Sequence, residues 1–286
     1  MAFATLKTPL STHDRIVKRF CWIAVCFGLL DLVATLASQP KSYWAHPATA
    51  DIGYNAFHFL LSRGWATYTA VQLVYLTLAL MVISVIPRRP ALLFGFTIIL
   101  GHCFGFAAWL NYFWHLGMTA TFSCGIVLGI ILSTMPFEVA ADQIKGRLRW
   151  VMAGAMLFDL TNTVLGQPGS YWHQPQTANE GFWLSRYFLN RGFSPFLIYD
   201  IIGLTSLFFI VSALPKKAGL ITTWTLVFSY YFGASTWLVS RWELGSKGPL
   251  GYAIVLSSIL VWLVSCKQSA RTVATLAGMK QCLSGR

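Results

Sequence analysis

Eight stretches of the chain are continuously apolar, and polar or basic residues punctuate them at regular intervals. In the first half they run about 20–38, 66–86, 91–113 and 118–136; in the second, about 150–166, 194–214, 219–239 and 249–265. Each approaches or exceeds the ~20 residues that an α-helix needs to cross a bilayer core. The pattern predicts an all-α, polytopic membrane protein with eight transmembrane helices. Pro87 and Pro215, each followed by two basic residues, end the second helix of each half.

The two halves share residues as well as pattern. "QPKSYWAHPATA" at 39–50 returns as "QPGSYWHQPQTA" at 167–178, an offset of 128. The same offset, without a gap, pairs Asp31 with Asp159, Thr35 with Thr163, Arg63-Gly64 with Arg191-Gly192, Phe104-Gly105 with Phe232-Gly233, and Trp114 with Trp242. So long an ungapped match reads as a duplication. The expected organisation is a cytoplasmic N-terminal tail (1–19), a four-helix repeat (20–136), a basic cytoplasmic linker (137–149), a second four-helix repeat (150–265) and a basic cytoplasmic tail (266–286). Four helices per half is an even number, so both halves insert in one orientation. A pseudo-two-fold axis along the membrane normal, a parallel repeat, is the expected relation. The first apolar run is read as a retained helix rather than a cleaved signal: Asp31 interrupts it, and its counterpart at 150–166 lies in mid-chain.

Composition agrees. The chain is 56% hydrophobic and only 10% charged, against roughly 25% charged in a soluble domain. Its net charge of +12 lies mostly between the apolar runs rather than along one face, which argues against nucleic acid as a partner. Fifteen of the 21 Lys and Arg residues fall on one side of the expected topology. By the positive-inside rule this puts both termini in the cytoplasm, in a bacterial inner (plasma) membrane. The six cysteines form no disulfide or metal-knuckle spacing and read as small hydrophobes.

The duplicated motif then falls on the outer face, in segments of about 27 residues between the first and second helices of each half. Their second parts, "DIGYNAFHFLLSRG" and "NEGFWLSRYFLNRG", have apolar residues at helical spacing and predict short interfacial helices capped by Gly64 and Gly192. Tyr43-Trp44 and Tyr171-Trp172 suit a rigid cap at headgroup level, with ligand contact as the alternative. Arg63, Arg191 and Glu180 are the charged members of this outer motif.

Ionisable residues inside a membrane are costly and therefore mark candidate sites. Asp31 lies about 10 Å below the outer end of the first helix at 1.5 Å per residue. Thr35 shares its helical face, and Gln72 sits at nearly the same depth on the second helix. The counterparts are Asp159, Thr163 and Asp200, so an Asp/Thr pair faces Gln in one half and Asp in the other. Two carboxylates at equal depth could share a proton, bind a cation, or pair with Arg63 or Arg191. The structural alternative is that Asp31 and Asp159 tie helices together. His102, which aligns with Tyr230, reads as a hydrogen-bonded core residue rather than a metal ligand.

No His or Cys spacing supports a metal site, no cofactor is indicated, and neither a nucleophile elbow nor a phosphate-binding glycine loop is present. Tyr199-Asp200 matches one half of an intramembrane aspartyl protease signature, but its Gly-x-Gly-Asp half is missing. Three functions remain as expectations. The first is a transporter or permease whose small-molecule or ion substrate uses the carboxylates near the pseudo-two-fold axis. The second is a membrane-embedded enzyme acting on a lipid or small apolar substrate. The third is a non-catalytic subunit or assembly factor docking partners of a membrane complex. Membrane lipids are partners in all three. No matched Gly/Pro break at mid-depth supports the first.

Overall fold

The computed structural model describes residues 12–51, 55–137 and 139–265. The C-terminal tail expected at 266–286, and residues 1–11 of the N-terminal tail, lie outside the described residues. Among the described residues every regular element is helical. In chain order the α-helices are α1 (Thr12–Ala37), α2 (Lys41–Ala45), α3 (Asn55–Leu61), α4 (Trp65–Val85), α5 (Arg88–Tyr112), α6 (Met118–Ser133), α7 (Ala141–Leu165), α8 (Trp183–Leu189), α9 (Phe193–Ala213), α10 (Lys216–Ser240) and α11 (Lys247–Ser265).

Five helices, rather than the eight expected, are long and apolar enough to cross a membrane: α1 from Arg15, α4, α5, α9 and α11. The other three fall short for separate reasons. α6 has only 16 residues. α7 carries Arg149, Asp159, Thr161, Asn162 and Thr163 within its apolar stretch, and it starts nine residues before the expected 150, so the segment 141–149, with Asp142, Lys145 and Arg147, is helix rather than linker. α10 begins with Lys216 and Lys217 and is rich in Ser and Thr, and 14 of its 25 residues are buried.

Burial separates an inner from an outer set. α5 and α10 form the centre, whereas α9 buries only Phe196 and Val211. α1 packs chiefly on α5 and α7 on α10, while α6 packs on α10 and α11 on α5. Each half therefore lends its last long helix to the other half's centre. The α6–α10 contact is close because α6 presents Gly125 and Gly129, as small residues four apart do in membrane helix pairs; the Thr225 hydroxyl donates to the Gly125 carbonyl at 3.3 Å. Three ring pairs join α5 to α10: Phe96 with Trp224 (centroids 6.2 Å apart), Phe104 with Phe232 (5.3 Å) and Phe104 with Tyr231 (6.2 Å). The first two join residues 128 positions apart.

The helix ends away from the loops are tied by basic side chains. Lys145 donates to the carbonyls of Ser212 and Leu214, Arg147 to that of Leu263 (3.1 Å), and Arg149 to the Ser212 hydroxyl (3.0 Å). Cations at helix C-termini satisfy the last carbonyls and the dipole together. Exposed tryptophans sit near both ends, Trp44, Trp65, Trp114, Trp172, Trp183 and Trp242 at the loop end and Trp22, Trp150 and Trp262 at the other. That is the placement of interfacial belts.

The duplicated motif is a brace. Gln39, 4% exposed, donates from Nε2 to the carbonyls of Thr35 (2.9 Å) and Asp51 (3.2 Å), and its Oε1 accepts from Asp51 N (2.9 Å). Gln167, 3% exposed, repeats all three bonds with Thr163 and Asn179 at the same distances. Ser42 and Thr49 join at 3.1 Å, and Ser170 and Thr177 at 3.0 Å. Tyr43 and Tyr171 are buried under these turns, while Trp44 and Trp172 project outward. Gly64 and Gly192, at φ 106° and 112°, turn the chain from the short helices into α4 and α9. No side chain other than glycine adopts that backbone without strain.

Candidate functional site

The structure brings Asp159, Thr163, Asp200 and Glu180 to one cavity of about 400 Å³. Asp159 and Thr163 come from one face of α7. Asp200 lies on an α9 stripe, Phe196, Tyr199, Asp200, Gly203 and Leu207, that follows the helical repeat. Tyr230, Gly233 and Trp237 of α10 close the back. The lining runs from Asn179–Phe182 and Gly117 at the loop end to Met156, Leu207 and Leu226. Apart from Asn111, Gly117, Met118 and Phe122 it is built from residues 156–240, so it belongs mostly to the second half rather than lying evenly between halves.

Asp159 is set deep against α10. A Cβ on Gly233 would come within 2.7 Å of Asp159 Oδ1, so any side chain there would displace the carboxylate. Asp159 Oδ1 and Asp200 Oδ2 are both enclosed and have no hydrogen-bond partner. Glu180, in the loop above them, accepts from Phe182 N at 2.8 Å. Burial pushes the Glu180 carboxyl above the usual carboxylate range, against the lowering effect of its bonds to Phe182 and Gly181 N–H and of Arg186. No Lys, Arg or His is among the described residues that line the cavity.

The remaining candidates do not join this site. Asp31 Oδ2 pairs with His102 Nδ1 at 2.9 Å, with the Tyr75 ring 5.9 Å from the imidazole. Gln72 Nε2 donates to the Tyr68 hydroxyl of its own helix at 3.2 Å, and Tyr68 is also bonded to Thr35. Arg63 and Arg191 lie over the rings of Phe59 (4.8 Å) and Tyr187 (4.1 Å) instead of reaching the carboxylates. Of the outer-motif residues Tyr43, Trp44, Tyr171, Trp172 and Glu180, only Glu180 lines the cavity.

The offset of 128 explains why the two regions differ. Tyr68, Gln72, Tyr75 and His102 correspond to Phe196, Asp200, Gly203 and Tyr230. In the first half, a hydroxyl, an amide, a large ring and an imidazole complete and fill the space around Asp31 and Thr35. In the second, the hydroxyl is lost, the amide becomes a carboxylate, the ring becomes hydrogen and the basic partner becomes a phenol. Each change opens or unpairs the surroundings of Asp159 and Thr163. Gly203 and Ser185 are lining residues that pattern reading passes over, and Tyr199 enters it only through the half-matched protease signature. The departure of Gly203 from Tyr75 was the available signal.

Comparison with protein-family models, with curated proteins and with solved structures finds no match for this chain.

Proposed function

We propose that the chain is a membrane carrier for a small solute, with eight spans in two parallel four-helix repeats, and that its binding site is the cavity beside Asp159 and Asp200. α6 and α10 fit as spans because they pack against each other and expose little of that contact to lipid. The α7 basic residues and the α10 lysines belong to the headgroup level. The ring pairs Phe96–Trp224 and Phe104–Phe232 support the parallel relation. About an axis in the membrane plane, related residues meet at one depth only, whereas these pairs lie about two helical turns apart. The basic excess at the other end supports placing the loop end at the outer face and the termini in the cytoplasm.

The observation that carries the functional reading is the pair of unpartnered carboxylate oxygens in one cavity. Inside a membrane protein such groups are retained for a task. Here they can take up and release a proton or a charged solute from the outer side.

The test uses purified protein in liposomes loaded with a pH-sensitive dye and challenged with a panel of small solutes. A carried solute should change the lumen pH. Asp200→Gln, which copies Gln72, should keep the parent's thermal stability and abolish that change. A folded Asp200→Gln protein as active as its parent would make Asp200 a spectator.

A further inference from the structure

Three carboxylates, Asp159, Glu180 and Asp200, line a chamber whose described walls hold no basic side chain. Asp159 Oδ1 and Asp200 Oδ2 have no partner within the protein. An enclosed negative charge without a counter-charge is expensive, and a positive ligand would offset that cost. The described residues contain no group of three His, Cys, Asp or Glu side chains close enough to hold a metal ion. The carboxylates surround the chamber instead of converging on a point, which suits a cation with a body of its own.

Aromatic rings share the rest of the wall with small polar and aliphatic side chains. Phe182, Phe196, Tyr199, Tyr230 and Trp237 all line it. Ring faces attract an ammonium group, by about 0.5–2 kcal/mol each depending on desolvation. Rings also cover the apolar part of an organic ligand. The volume of about 400 Å³ lies at the small end of ligand pockets, which run from roughly 300 to 1,000 Å³. Gly203 is where space is made: a Cβ there would meet only the Met156 methyl at 3.7 Å, and the equivalent Tyr75 carries a full ring.

We infer that the cavity binds a small organic cation, an ammonium group on an aromatic or aliphatic body, with the charge between Asp159 and Asp200 and the body against the α10 rings. This assignment of ligand class rests on the carrier reading above.

The test compares three probes with one ring and different charge: phenethylammonium, phenethyl alcohol and phenylacetate. Binding to the purified full-length protein in nanodiscs is followed by calorimetry, with thermal stabilisation as a second readout. Phenethylammonium should bind and the other two should not. Asp159→Asn and Asp200→Asn should each weaken it by about tenfold or more, the equivalent of about 1.4 kcal/mol. Gly203→Tyr, which fills the chamber and leaves all three carboxylates in the chain, should abolish it. Binding of the alcohol or of phenylacetate as tight as that of the amine overturns the inference, and so does an absence of binding by all three. Either failure leaves the carrier reading to the lumen-pH experiment, which assumes nothing about solute charge.

Discussion

Replacing Gly129 with Leu should leave the protein unable to assemble its bundle, seen as loss of the monodisperse species on purification. A Cβ at Gly129 would sit 2.7 Å from the Ile221 carbonyl oxygen and 3.0 Å from Thr225 Oγ1. The first of these atoms is α10 backbone and cannot rotate away, so any side chain drives α6 off α10. Overpacking of this kind costs about 1–3 kcal/mol for small intrusions and more for large ones. Gly129→Ala should therefore still fold, with a lowered thermal midpoint. Because α6 packs on the opposite half's central helix, the damage spreads to both halves. Gly154→Ala is the control: nothing lies within 4 Å of a Cβ there, and alanine is the better helix former by about 1 kcal/mol. A Gly129→Leu protein as stable as that control would refute the α6–α10 packing.

The second large effect concerns the candidate site. Phe196→Tyr, Asp200→Gln, Gly203→Tyr and Tyr230→His together give the second half the residues that close the first. The introduced histidine stands where His102 pairs with Asp31, and the introduced tyrosine at 203 where Tyr75 lies against that histidine. The combined variant should unfold at a higher temperature than the parent, by the equivalent of about 1–3 kcal/mol, since it partners an enclosed carboxylate and fills a void. It should carry nothing. Stability gained together with activity lost is the signature of a site maintained for function. A combined variant that is less stable than the parent, yet active, would mean that these four differences are incidental.

The helices were legible in the sequence because helical periodicity is a local property. Asp159, Thr163 and Asp200 were placed together from depth alone, and they share a cavity. Depth alone sets Asp31 opposite Gln72, whereas they turn to different partners, His102 and Tyr68. Side-chain direction depends on which helix stands opposite, and the sequence does not state that α5 rather than α4 faces Asp31. The exchange of α6 and α11 between halves was hidden for the same reason. Gln39 and Gln167 looked like loop residues, yet each satisfies three backbone groups, a role visible only once residues 12 positions apart are folded together. The start of α7 was missed because Lys145, Arg147 and Arg149 resemble a linker until the carbonyls of Ser212, Leu214 and Leu263 are seen to receive them.

The central claim is that the α7–α9–α10 cavity is a water-reached site open at the outer face. Thiol labelling of Gly203→Cys, in a protein whose six native cysteines are replaced, tests it most directly. A membrane-impermeant reagent added to intact cells should modify the introduced thiol. Prior incubation with a carried solute should slow the reaction. A thiol at that position that stays unmodified from outside, and reacts only when the reagent reaches the cytoplasmic face or the membrane is dissolved, would contradict the account.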